Sequence, residues 1–188
     1  MSDREVALDM SNVRLKEIDF KTEETALGTW KHYLSESGQP YHEFTSRHRF
    51  AGIPLVHYTA GRNPESGSTK MAIGLIAIGQ KACGVIAIGQ LSFGLIAIGQ
   101  LALGLAVGLG QGCTGLFALG QFSLGAIAGI GQFAIGTVAI GQKALGYYVL
   151  AQSGTGAHVW SQHVADPAAR QFFHSLADWS VFRARSQG

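Results

Sequence analysis

Seven histidines and two cysteines are the residues of this chain with the chemistry of a catalytic or metal site. His32, His42, His48 and His57 fall in the N-terminal third, and His158 and His163 bracket the stretch HVWSQH, with His174 beyond it. Imidazoles could carry protons or bind zinc. Zinc needs three or four ligands, and two histidines five residues apart do not share a helical face. No group of cysteines or carboxylates completes either set. Cys83 and Cys113 stand where other stretches carry Phe93 or Ala102, so they read as small apolar fillers instead of a disulfide framework. Ser153-Gly154-Thr155-Gly156 is glycine-rich but lacks the Lys-Ser/Thr that completes a phosphate loop. These residues read as belonging to a non-enzymatic chain with no catalytic group, metal or cofactor.

The elements that would position them fall into three segments, marked by charge. Residues 1–70 hold nine Lys/Arg and ten Asp/Glu, and residues 153–188 hold three and two. Residues 71–152 contain only Lys81 and Lys143, with 61 uncharged residues in a row from Ala82 to Gln142. The net charge of +2 supplies no basic stripe of the kind nucleic acids require, and neither a nucleic-acid partner nor a small-molecule substrate is expected. The opening MSDREVALDM has neither the basic start nor the apolar run of a secretory signal, so a cytoplasmic origin is expected.

Residues 1–70 read as a small α+β lead-in. Thr22, the acids Glu23 and Glu24, and a terminal Gly38 predict a helix over residues 23–35, with Leu27, Trp30 and Leu34 on its apolar face. YHEFTSRHRF and PLVHYTAG predict two strands around AGIP, followed by the polar loop RNPESGSTK. In residues 153–188, Asp166-Pro167 marks a helix start, and Phe172, Phe173, Leu176 and Trp179 recur at helical spacing, as in a capping helix.

The central segment, residues 71–152, has 18 glycines, mostly at every fifth position from Gly74. Five residues advance an α-helix by about 500°, so these glycines would spiral around it without forming a packing seam. Short extended stretches with glycine at the corners fit better, glycine being the residue that accepts positive φ. Alternate units differ, and the true period is ten. It is marked by Gln80, Gln90, Gln100, Gln111, Gln121, Gln132, Gln142 and Gln152. Two steps are eleven, and each contains an added glycine, Gly108 or Gly129, as a β-bulge would require. The expected fold is mainly β: a decapeptide-repeat array, either a β-solenoid or a set of radial β-hairpins, between the lead-in and a C-terminal capping helix. Alternation puts Ile76 and Ile78 on one face and Ala77 on the other without indicating which is inside.

The segment FTSRHRFAGIPLVHYTAG, followed by IAIGQ and ALG units, resembles a group of uncharacterised bacterial proteins in which a GxPLVH-type lead-in precedes a glycine-rich AIG/ALG array. The matching lead-in residues are Gly52, Pro54, Leu55, Val56 and His57, and the likeness covers roughly residues 44–150. The radial-hairpin arrangement is similar to the β-flower architecture. Neither resemblance implies a catalytic mechanism.

Function is then expected to follow from the missing charges. If the large residues face outward, the apolar surface exceeds the few hundred Å² usual for a monomer and calls for lipid or a protein partner. The expectation is a membrane-associated protein on a cytoplasmic face. Leu75, Val85, Leu95 and Leu105 would enter one leaflet, the glutamines would form a polar edge, and Arg47, Arg49, Arg62, Lys70, Arg183 and Arg185 would meet headgroups. The alternative is a soluble β-solenoid scaffold that self-associates into a homo-oligomer or binds a partner.

Overall fold

The computed structural model describes residues 20–35 and 38–185, with side chains as far as Asp178. The charged opening, residues 1–19, and the side chains of Trp179, Arg183 and Arg185 lie outside this description. The protein is mainly β, with one C-terminal helix among the described residues and a sheet that does not close on itself.

The lead-in is built of strands. β1 (Lys21–Glu24) and β2 (Gly28–Leu34) occupy the span expected to be a helix. Thr22, expected to cap that helix, lies within β1, and the chain reverses at Thr25, whose hydroxyl donates to the Gly28 carbonyl at 2.7 Å and whose N–H donates to the same oxygen at 2.8 Å. Long-range packing overrides the helical spacing of Leu27, Trp30 and Leu34. Leu27 and Leu34 are exposed, while Trp30 lies opposite Phe44 on β3 (Pro40–Ser46), with ring centroids 4.9 Å apart. Phe44 in turn lies opposite Tyr58 on β6 (Val56–Ala60), so an aromatic row crosses three strands. The two strands expected from YHEFTSRHRF and PLVHYTAG are therefore present, joined by the hairpin β4 (Arg49–Phe50) and β5 (Ile53–Pro54). Its corner has φ of 50° at Ala51 and 81° at Gly52, the left-handed pair that a two-residue hairpin turn demands.

β7 runs from Met71 to Trp160, past Gln152, and joins the lead-in sheet by parallel pairing of β6 with its first residues, Val56 opposite Ile76 and Thr59 opposite Gly79. Its core is made of small residues at every fifth position. Ala72, Ala77, Ala82 and Ala87 form one fully buried cluster; Ala97 and Ala102 continue with Cys113 and Ala118. A third cluster, Ala134, Ala139, Ala144 and Val149, completes the line. The large apolar residues point the other way, with Leu95, Leu105, Phe122 and Leu145 among those exposed.

Backbones one period apart come into contact. A methyl placed on Gly89 would overlap the carbonyl oxygen of Gly79, and one on Gly99 that of Gly89. Across the eleven-residue steps the same contacts join Gly110 to Gly99 and Gly131 to Gly120, so the period survives the insertions. The added glycines themselves, Gly108 and Gly129, are buried in the positions that alanine takes elsewhere. The turn-conformation account of the glycines is corrected here: no glycine of β7 has a left-handed φ, and at most of them what excludes a side chain is the neighbouring backbone.

Ser92 replaces alanine in the buried line, and its hydroxyl finds no hydrogen-bond partner among the described residues. Ser92→Ala is expected to raise stability by about 1 kcal/mol, because an unsatisfied buried hydroxyl is removed without loss of packing. A higher denaturation midpoint by circular dichroism checks it.

At the far end, α1 (Pro167–Arg185) starts as Asp166-Pro167 predicts: the Asp166 carboxylate accepts the Ala168 N–H at 2.7 Å. The same carboxylate bonds His158, and these two contacts, the histidine first, hold its pKa below the usual value. Phe172 stacks on Tyr148 with centroids 4.1 Å apart, and Ala169 and Phe173 are buried, so α1 packs against the last residues of β7. It is not long and apolar enough to cross a membrane.

Candidate functional surface

The histidines divide by environment. His32 and His42 face each other across β2 and β3, their Nδ1 atoms 2.7 Å apart, so that one ring must donate and the other accept. His57 is buried where the lead-in meets β7. The Ile73 N–H donates to its Nδ1 at 2.8 Å, which leaves Nε2–H to donate to Glu43 Oε1 at 3.1 Å. Lys70 Nζ donates to the same Glu43 oxygen at 2.6 Å, and the Tyr41 hydroxyl donates to Oε2 at 2.8 Å.

This network is what the sequence did not disclose, since Glu43 lies 14 residues from His57 and 27 from Lys70. The His57 hydrogen bond, against the opposing effect of burial and with help from Lys70 and Tyr41, draws the Glu43 carboxyl down to about 2. Burial and the bond to Glu43 push the Tyr41 phenol upward. Acid, base and cation are all present, yet both His57 nitrogens are engaged and neither large groove of the protein reaches Glu43 or His57. The cluster bolts the lead-in to the first residues of β7. Among the described residues no group of three His, Cys, Asp or Glu is placed to hold a metal ion.

The exposed surface of β7 is more distinctive. Leu75, Val85, Leu95 and Leu105 come together with Ile73, Phe93 and Leu103 in the lining of an apolar groove of about 660 Å³. Leu75 is half-buried and the other three are exposed, Leu105 to 76%. Ile53 of the β4–β5 hairpin closes one end. All eight glutamines are exposed, and Gln80 accepts a hydrogen bond from Thr69 at 2.9 Å.

The cations are not gathered on one side. Arg62 shares a hollow with Thr69 and Gln80, on the glutamine side. Arg47 and Arg49 share a different one with Lys31 and Glu24, and donate to the carbonyls of Thr25 and Gly52. Arg49 lies opposite Pro54, whose neighbour Ile53 lines the leucine groove. Lys70 is engaged by buried Glu43. Arg183 and Arg185 are on the last turn of α1, beyond the described side chains.

No protein-family profile, curated protein or solved structure matches the chain. The surface of β7 therefore has to be interpreted from its own chemistry.

Proposed function

We propose that β7 is a narrow β-solenoid of ten residues per coil and that the protein is a non-catalytic membrane-associated protein lying in one leaflet. The observation that carries this reading is the inversion of size: alanine inside, Ile, Leu and Phe outside. Stacked coils are favoured over radial hairpins by the backbone contacts at one full period and by the parallel pairing of β6 with the first coil. Each coil then has two corners, one at glutamine and one at Leu75, Val85 and their equivalents.

Water is a poor solvent for such a surface. Exposed apolar area costs about 25 cal/mol per Å² relative to burial, and contiguous patches beyond a few hundred Å² mark interaction sites. In hydrocarbon the side chains are matched, and coil-to-coil hydrogen bonding leaves few backbone groups unpaired. Nine coils at ~4.8 Å each give a rod roughly 40 Å long. Its width, about four extended residues or ~13 Å, is less than half of the ~30 Å hydrocarbon core. The rod lies along the leaflet with the leucine corners inserted and the glutamine corners among headgroups. Arg62, Lys81 and Lys143 follow the glutamine level.

Self-association is the second reading, and one observation restricts it. β6 covers the first coil and α1 the last, so copies would meet side to side and not end to end.

Flotation of the full-length protein with phosphatidylcholine vesicles separates the two readings. Wild type is expected to rise with the vesicles, and the double variant Leu95→Lys, Leu105→Lys to fall to background. A wild-type protein that stays monodisperse without detergent and ignores vesicles overturns the membrane reading. Unchanged binding by the double variant discards this edge as the inserted one.

A further inference from the structure

A second groove, about 580 Å³, runs along β7 between the row of residues that directly follow the glutamines and the row, Leu124, Ile135 and Leu145, that continues Ile73, Phe93 and Leu103 of the first groove. Its walls are Leu101, Phe122, Phe133 and Ile135, and it deepens where Gly112 supplies no side chain between Leu101 and Phe122. Phe122 and Phe133 stack in parallel, centroids 5.1 Å apart. At its rim stands Lys143, with Nζ 5.5 Å from the Phe133 centroid, next to the hydroxyl-bearing Ser153.

Lys143 is unusual in its surroundings. β7 contains no Asp or Glu, and the ammonium forms no ion pair with any described residue. It sits directly after Gln142, at the level where the glutamine corners lie. The groove is thus apolar along its length and cationic at one end, and its volume falls in the range of ligand sites, about 300–1,000 Å³. The 660 Å³ groove on the leucine side is lined by no charged residue and offers nothing to orient a head group.

We propose that this groove seats one acyl chain of an anionic phospholipid, with the lipid phosphate at Lys143 and Ser153. The proposal rests on the membrane reading and adds a lipid class to it. Phosphate complements the one cation on the rim, and the hydrocarbon chain covers the aromatic pair. The lipid would also fix the rotation of the rod about its axis, because its head must stay at the glutamine level.

The test is flotation of full-length protein with two vesicle compositions: phosphatidylcholine alone, and two parts phosphatidylcholine to one part phosphatidylglycerol. Wild type is expected to prefer the second. Lys143→Gln should lose about fivefold on the anionic vesicles, the equivalent of the ~1 kcal/mol that a lysine gains near an anionic surface. Gly112→Leu fills the groove with the residue found at Leu91 and Leu101 and should lose binding to a similar extent with Lys143 intact. Lys81→Gln, in the same row but outside the groove, should keep the preference. Equal losses for Lys81→Gln and Lys143→Gln would reveal diffuse attraction and overturn the site. Lys143-dependent binding of dodecanoate without vesicles, combined with no phosphatidylglycerol preference, would overturn it in favour of a free fatty acid. Flotation on both compositions without preference overturns this assignment alone, whereas no flotation on either overturns the membrane reading as well.

Discussion

Gly99→Ala is expected to cost about 3 kcal/mol or more, while Gly112→Ala is expected to stabilise by ~0.5–1 kcal/mol. The two substitutions add the same methyl group. At Gly99 it would overlap the carbonyl oxygen of Gly89, part of a backbone that cannot rotate aside, so the strand must part from its neighbour. At Gly112 the nearest atom is Leu101 Cδ1 at 3.4 Å, ordinary contact with a flexible side chain. Neither glycine has a left-handed φ, so conformation does not separate them and close approach does. Denaturation midpoints by circular dichroism, with amide exchange around residue 99 because β7 could open locally, measure the difference. Similar midpoints for the two variants would mean that the backbones are not in contact at one period.

The second large effect concerns Glu43 and pH. Its carboxyl titrates near 2 in the folded protein, against an ordinary 4.5. A depressed folded-state value means that the carboxylate form contributes stability above pH ~4.5, and that this contribution is lost as pH falls toward 2. The shift corresponds to ~3 kcal/mol for a side chain 8% exposed. Wild-type stability is therefore expected to fall between pH ~4.5 and ~2, and Glu43→Gln to show a lower and flatter profile over that window. Guanidinium titrations at several pH values measure it. Lys70→Met should have a smaller effect, because its ammonium is 40% exposed and the His57 and Tyr41 bonds remain.

The β class of the central segment and the C-terminal helix could be read from spacing. The glycine spacing pointed to β structure instead of helix for β7, whose backbones approach at intervals of ten and eleven residues, and Asp166-Pro167 anticipated the start of α1. Which face was inside could not be read. Alternation distinguishes Ala77 from Ile76 and Ile78 but carries no sign, and the usual rule that large apolar residues face inward fails here. The lead-in helix was misjudged because Leu27, Trp30 and Leu34 satisfy a helical spacing, while the partners of Trp30 lie on strands that local sequence cannot locate. The Glu43 network was invisible for the same reason. The basic residues read as one set in the sequence, and only the fold shows that Arg47 and Arg49 line one hollow and Arg62 another.

The floor of β7, mostly alanine, has a consequence for how such a chain can change over evolutionary time. On the proposed reading, duplication or deletion of a ten-residue block leaves every remaining coil facing an equivalent neighbour. An eleventh residue is accommodated where glycine takes the alanine place, as at Gly108 and Gly129. Length can then drift by whole coils through unequal recombination while the outer side chains diverge separately. In this molecule sequence constancy belongs to the smallest residues, and diversification is open to the largest.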